Sequence, residues 1–301
     1  MRLWARRLLL MVLSVLLLGA VGFGGTALRF WLRFRQQGCR VTPLMYHAIV
    51  SEQRPDTRYW MQEREFARQM AELKKAGAVT PPLDSIVSWL DRPGEGCPFP
   101  PKSVLITFDL DGISRHLGRA LPHLAEQGFQ GVFFVPLMAL DHPPGVTSEA
   151  LQQIAAAGMT VGSHSEHHYD MRLEYPDSMV ASLLRTRERL GAVTGQPITA
   201  LSAPGGRYNQ SVVTGVEHAG FTSFFTSDPC YITRAPPPRA LCRIEIRGDG
   251  GMTALDAVER PWGVAVQAAD WAIKRKVESV ISPRFWNLLH FLRSEVNGPG
   301  Y

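Results

Sequence analysis

The chain has 301 residues, of which 45% are hydrophobic and 20% are charged, an ordinary globular composition that excludes wholesale disorder. The net charge is +5, and much of the excess lies at the two ends of the chain beside apolar stretches. This distribution favours contact with a membrane surface. The chain lacks the combined basic and aromatic pattern of a nucleic-acid-binding module, so no nucleic-acid partner is expected.

The N-terminal segment predicts a membrane anchor. Residues 8–28 contain no charged residue and are long enough to cross a bilayer as a helix, at roughly 1.5 Å per residue. We therefore assign residues 1–35 to a single transmembrane helix with basic flanks. A cleavable signal peptide is the alternative, because Gly24, Gly25 and Ala27 could form a small-residue cleavage site. Arginines flank both sides, so their charge does not set the orientation.

Residues 36–250 alternate short β-like runs with helical segments, starting after a short linker at 36–40. Strands are predicted at 41–47, 103–108, 131–135, 159–162, 198–202 and 221–225, and helices at 63–77, 115–128, 148–158, 176–195 and 211–220. Such alternation predicts an α/β fold with a parallel sheet or barrel, in which the chemistry collects at the carboxyl ends of the strands. Residues 251–301 are predicted to form a helical extension. Its segment 271–293 either caps the barrel or lies on the membrane surface.

The four cysteines do not form a Cys-x-x-Cys pair, which argues against a structural zinc knuckle. Cys230 and Cys242 bracket a proline-rich loop, and a disulfide between them is compatible with an exported protein. Buried free thiols are the alternative, and the sequence favours neither.

Three polar clusters follow predicted strands. Segment 107–112 reads Thr-Phe-Asp-Leu-Asp-Gly, and alternation along a strand would point Asp109 and Asp111 to the same side. Two converging carboxylates repel unless a cation or a shared proton lies between them, so a metal site is one explanation and a solvated strand end is the other. Segment 162–168 contains three histidines. His164 and His168 are four residues apart and would share one face of a helical turn, where they could hold one divalent ion.

The third cluster, at 202–209, contains Pro204, Gly205 and Gly206. Taken alone it is a tight turn, although a backbone N–H presented there could stabilise an oxyanion.

Together the three clusters resemble the motifs of the polysaccharide deacetylases, the NodB-homology group that forms carbohydrate esterase family 4. The resemblance spans roughly residues 42–243 and implies a distorted (β/α) barrel. It makes Asp109 the catalytic base and assigns Asp111, His164 and His168 as ligands of a divalent metal, Zn²⁺ by expectation. Leu110 is inserted relative to the family motif Thr-Phe-Asp-Asp-Gly.

The third family motif, Arg-x-Pro-x-Gly, is matched at Pro204 and Gly206, and by this resemblance the N–H of Gly205 lies at the oxyanion hole. Serine replaces the arginine that braces the base in the family, and Arg207 is the candidate substitute. Segment 44–47, Leu-Met-Tyr-His, resembles the opening of the poly-β-1,6-N-acetylglucosamine deacetylase branch, which makes His47 the general acid.

The resemblance implies a metal-dependent hydrolase that removes acetyl groups, of amide or ester type, from an exported or cell-envelope polysaccharide. The catalytic domain would then lie on the periplasmic or extracellular side of the inner membrane. Two alternatives remain at this point: a deformylase or deacetylase of lipid-linked sugars, and a carbohydrate-binding relative without activity.

Overall fold

The computed structural model describes residues 20–51, 59–92, 94–110, 117–143, 145–234 and 240–280. The strands are β1 (Thr42–Tyr46), β2 (Ile49–Val50), β3 (Met61–Gln62), β4 (Val104–Asp109), β5 (Gly131–Val135), β6 (Thr160–Ser163), β7 (Ala200–Ser202), β8 (Ser223–Phe225), β9 (Ala240–Leu241) and β10 (Ile244–Glu245). Helix α1 includes residues 20–35. The other helices are α2 (Glu63–Lys75), α3 (Leu83–Leu90), α4 (Leu117–Gln127), α5 (Ser148–Ala156), α6 (Pro176–Thr194), α7 (Gln210–His218), α8 (Ala254–Glu259) and α9 (Pro261–Val280).

Eight strands form one parallel sheet in the order β10-β1-β4-β5-β6-β7-β8-β9. Every residue of β1, β4 and β5 is buried, as expected for strands covered on both faces. These strands are apolar because helices cover one face and the barrel interior fills the other. The predicted α/β barrel architecture is confirmed.

The sheet curls because its two edge strands are neighbours in the chain. β9 pairs with β8 and β10 pairs with β1, yet only Cys242 and Arg243 separate β9 from β10. Three virtual Cα bonds span at most about 11 Å, so the two edges must lie close together. One short extended segment therefore closes the distorted barrel, and Arg243 lies in that closure.

Helix α1 packs on the domain through its C-terminal half. Ala27 and Phe34 are each 1% exposed, and the Phe34 ring meets Tyr231 edge to face with centroids 5.3 Å apart. Arg40 donates from Nη1 to the Phe34 carbonyl (3.2 Å) and from Nη2 to the Val258 carbonyl (3.0 Å), which fixes the segment predicted as a linker. Among the residues described, no helix is long and apolar enough to span a membrane, and the apolar stretch at 8–28 lies mostly outside them.

Two disulfides join the four cysteines. One links Cys230 to Cys242, the pair left open by the sequence, and the other links Cys39 to Cys97. The first ties the chain before β9 to the barrel closure at Arg243. The second ties the end of α1 to the loop that leads into β4.

Helix α9 crosses the carboxyl rim of the barrel. Gln267 donates from Nε2 to the carbonyl of Glu245 on β10 (2.8 Å), and Trp271 donates from Nε1 to Asp228 in the loop after β8. Further along, Glu278 lies 3.5 Å from Arg172 and 3.8 Å from Arg207, which follow β6 and β7. Up to Val280 the helix therefore packs as a cap on the barrel, one of the two predicted outcomes, and residues 281–293 of the predicted segment lie outside the described residues.

Candidate active site

Asp109 ends β4 at the carboxyl rim and is paired with Arg243. The Asp109 carboxylate is 4% exposed, and the Arg243 guanidinium is fully buried. Arg243 Nη1 donates to Oδ1 at 2.6 Å and Nη2 donates to Oδ2 at 2.7 Å, the parallel two-bond geometry that suits guanidinium and carboxylate. Arg243 Nε also donates to the Thr226 carbonyl at 2.9 Å, so the guanidinium is held from both sides.

Ser202 occupies the motif position where the resembled family has arginine. Arg243 Nη2 donates to its hydroxyl oxygen at 2.7 Å, and the hydroxyl in turn donates to Asp109 Oδ2 at 3.3 Å. The small serine leaves room for a guanidinium that arrives from the barrel closure. Arg243 thus fills the bracing role for which Arg207 was the candidate, and Arg207 lies with its Nε 3.8 Å from Glu278 Oε1.

This pairing keeps Asp109 ionised. Burial acts to raise the pKa of the carboxyl group, but the charge of Arg243, the nearby His164 and the hydrogen bonds from Arg243 together outweigh it. The pKa of Asp109 therefore lies below its ordinary value, and His47 adds to the same effect. An ionised, oriented carboxylate can accept a proton from a water molecule in the cavity.

The two histidines come together through a loop rather than a helical turn, which corrects the expected geometry. Their ring centroids are 4.8 Å apart, and the chain between them has no helical assignment. Ser165 and His168 have φ angles of 65° and 57°, in the left-handed region of the backbone that residues other than glycine seldom adopt. The Ser165 hydroxyl accepts a hydrogen bond from the His168 backbone N–H at 3.0 Å, as expected for a residue that holds the loop.

The orientation of His164 suits metal binding. Its Nδ1 lies 2.9 Å from the Ser202 carbonyl oxygen, so Nδ1 carries the proton and Nε2 keeps the lone pair. Nε2 lies 3.9 Å from Asp109 Oδ2, at the same end of the sheet as His168. Within the described ranges no three His, Cys, Asp or Glu side chains form a metal-binding group. Asp111, the predicted third ligand, lies outside those ranges. Two neighbouring imidazoles of this kind fit a divalent metal such as Zn²⁺.

A cavity of about 200 Å³ opens over these groups, and His47, Asp109, His164, His168 and Gly205 all line it. His47 follows β1 directly and packs against Tyr59, with ring centroids 4.9 Å apart. Of the eight residues assigned from the sequence, five therefore lie on one cavity.

Pro204–Gly206 forms a tight turn after β7, in which the backbone of Gly205 is left-handed. Gly205 and Gly206 have φ angles of 61° and 66°, which explains two glycines in succession. A Cβ on Gly206 would lie 2.3 Å from the Ser227 hydroxyl oxygen, so the backbone there is also packed too closely for a side chain. Pro204 is buried at the start of the turn, and Gly205 is the residue that reaches the cavity.

Several functional residues were missed from the sequence. Arg243 is the main one, and its signal was a charged residue within the otherwise apolar run 240–244, where a buried charge needs a partner. The α9 side chains on the cavity were also missed, because their positions depend on how the helix crosses the rim.

Comparisons with known proteins find similarity to one family. Residues 97–224 match the family model described as polysaccharide deacetylase. The protein YxkH of Bacillus subtilis (strain 168), which carries the provisional name polysaccharide deacetylase, is 26% identical over 219 residues, or 72% of this chain and 74% of that protein. These similarities support the polysaccharide deacetylase family, a family of hydrolases that act on carbon–nitrogen bonds other than peptide bonds.

Solved structures share the fold. The Streptococcus pyogenes deacetylase PplD, in complex with acetate, superposes with a TM-score of 0.63 at 20% identity, over 70% of this chain and 93% of that chain. A de-N-acetylase from Aggregatibacter actinomycetemcomitans superposes with a TM-score of 0.61 at 17% identity, over 73% of this chain and 99% of that chain. At these identities the likeness concerns the fold alone.

Proposed function

We propose that this protein is a metal-dependent deacetylase that hydrolyses the N-acetyl groups of amino sugars in an exported or cell-envelope polysaccharide. The observation that carries the proposal is the placement of Asp109, His164, His168 and His47 on one cavity, with Asp109 held ionised by Arg243. The match of residues 97–224 to the polysaccharide deacetylase model supports hydrolysis, and relatives of this fold carry the names deacetylase and de-N-acetylase.

His164 and His168 would hold the metal together with Asp111, and the metal would supply Lewis-acid polarisation and a water of lowered pKa. Asp109 accepts a proton from the attacking water, and Arg243 fixes the direction of its lone pairs. The backbone N–H of Gly205 donates to the oxygen that gains charge as the acetyl carbonyl becomes tetrahedral. His47 then donates a proton to the departing amine, so the products are acetate and a free amino sugar.

The test is acetate release from a panel of acetylated glycans by the full chain, with and without a chelator. We expect turnover that a chelator abolishes and that added Zn²⁺ restores. His164→Ala and Asp111→Ala should abolish turnover and lower the bound metal, whereas His142→Ala, at an exposed histidine away from the cavity, should change neither. Full turnover by either ligand variant would reject the assignment.

We also propose that the catalytic domain acts outside the cytoplasm. Two disulfides in one domain support an oxidising compartment, because cytosolic thiols are kept reduced. Accessibility of the domain to protease in intact cells whose outer envelope has been opened tests this placement. Protection until the inner membrane is broken would contradict it.

A further inference from the structure

Helix α9 supplies one wall of the catalytic cavity. Gln267, Asp270, Trp271 and Lys274 line the cavity, and these positions share one face of the helix by their spacing of three and four residues. Ile273, 43% exposed, lies on another face. The reaction proposed above does not use this wall.

Trp271 is fixed in position by a network of hydrogen bonds. Its indole N–H donates to Asp228, which also accepts a hydrogen bond from the Tyr208 hydroxyl at 2.7 Å and lies 3.6 Å from Arg275. A ring held in this way loses little conformational entropy when a ligand binds. The C–H face of a pyranose packs well against an aromatic ring, so Trp271 is suited to a sugar.

Gln267 offers a hydrogen-bond acceptor in the same wall. Its Nε2 is engaged by the Glu245 carbonyl, whereas its Oε1 is buried and accepts no hydrogen bond from the part of the chain that the structure describes. A buried acceptor without a partner is costly, so turning the Gln267 amide towards a sugar hydroxyl in the cavity would be favourable.

The charges of the wall cancel. Lys274 Nζ lies 2.5 Å from Asp270, and Arg247, another cation on the cavity, lies 2.5 Å from Glu245. Each of these two cations is paired with a carboxylate, so neither has an uncompensated charge for a phosphate or a uronate.

We infer that the α9 wall is a binding subsite for an uncharged sugar unit next to the one that loses its acetyl group. The inference rests on the proposed function and makes the substrate an uncharged N-acetylhexosamine chain rather than an anionic or pyrophosphate-linked sugar. Trp271 is its specificity-determining residue.

The test compares a monosaccharide with a pentasaccharide of β-linked N-acetylglucosamine, using the full chain in detergent with Zn²⁺. Trp271→Leu should lower kcat/KM on the pentasaccharide by about tenfold through KM and leave the monosaccharide rate unchanged. Trp271→Phe should retain most of the affinity, and the matched control Ile273→Ala should be unaffected. Equal losses on both substrates, or no loss, would overturn the inference.

A second experiment tests whether the subsite prefers uncharged to anionic glycans. The full chain should prefer the uncharged pentasaccharide to one in which glucuronate alternates with N-acetylglucosamine, and Asp270→Asn should narrow that preference severalfold by releasing the charge of Lys274. A preference of the unmodified chain for the anionic glycan would also overturn the inference.

Binding separates this inference from the proposed function. If the full chain releases no acetate from any glycan, the proposed function fails, and calorimetry with the same pentasaccharide decides the role of α9. The inference stands if Trp271→Leu weakens that binding and falls if the full chain does not bind or if the variant binds equally well.

Discussion

Arg243 and Asp109 show how a buried charge determines the chemistry of a single residue. A carboxylate with 4% exposure would become protonated if it stood alone. Two short hydrogen bonds from Arg243 keep it ionised, and the pair is flanked by Phe134, whose ring centroid lies 5.5 Å from the guanidinium carbon. Arg243 is thus a positioning residue, since it acts through Asp109.

Removing both partners of this pair should cost less than the summed costs of removing each one alone. Arg243→Met leaves the Asp109 charge buried and uncompensated, and we expect a loss of about 3–5 kcal/mol in the free energy of unfolding. The double variant with Asp109→Asn should lose less than the sum of the two single variants, because neither charge then remains. Urea unfolding of the four proteins in a double-mutant cycle measures this coupling. Additive losses would contradict the pairing.

Glu174 provides a pH test of stability. Partial burial is the main cause that raises the pKa of this carboxyl group. The charge of His167 acts to lower the pKa, and the charge of Glu166 acts to raise it. The folded protein therefore holds the proton to a higher pH than the unfolded chain does. Stability falls as pH rises from the unfolded pKa through the folded pKa, and a constant penalty remains above both.

Glu174→Gln should therefore stabilise the protein at pH 7, by less than about 1 kcal/mol because the side chain is partly exposed. The gain should shrink as the pH is lowered towards 4.5, near the unfolded pKa. Chemical denaturation at several pH values measures it. A gain that does not change with pH would assign the effect to packing instead.

The turn Pro204–Gly206 allows a comparison at the scale of one element. In Gly205→Ala the added Cβ contacts only the Arg207 side chain, at 3.6 Å. The loss of stability therefore comes mainly from the left-handed backbone, about 1–2 kcal/mol. Gly206→Ala has the same backbone cost, and its added Cβ also overlaps Ser227. We expect Gly206→Ala to lower the thermal midpoint clearly more than Gly205→Ala. Equal effects would show that close packing at Ser227 is not what requires this glycine.

The helices and strands could be predicted where the local pattern of apolar residues, glycine and proline determined their bounds. Gly131–Val135 was predicted with its observed bounds, because an apolar run between a glycine and a proline has few alternatives. Helix α6 ends before Gly195, whose φ of 68° explains the stop. The two-residue strands β2, β3, β9 and β10 were missed, since strands so short are specified by their neighbours and not by their own sequence.

The geometry of the candidate site was only partly predictable for a related reason. His164, His168 and Asp109 follow strands, and parallel strands bring their ends to one rim, so their convergence could be expected. Arg243 lies 134 residues after Asp109 and arrives by the closure of the barrel, which a local pattern does not encode. The same holds for Trp271, whose place depends on the path of α9.

At the scale of the molecule, the two disulfides should contribute unequally. The Cys39–Cys97 pair has a sequence separation of 58 and the Cys230–Cys242 pair has one of 12. Loop-closure entropy predicts losses of about 4 and about 3 kcal/mol when each pair is replaced by alanine. Denaturant unfolding under non-reducing conditions compares them. A larger loss for the shorter loop would indicate that Cys230–Cys242 holds the closure at Arg243 by packing.

The burial of Phe34 against Tyr231 has a consequence for making a shortened protein. A fragment that starts at residue 36, directly after the segment predicted as an anchor, leaves the Tyr231 ring and its apolar surroundings open to water. Such a fragment should aggregate, whereas one that starts a turn or more before Ala27 keeps that surface covered. The stretch that leads into the enzyme is therefore also part of its hydrophobic interior, and cutting there removes a piece of the core.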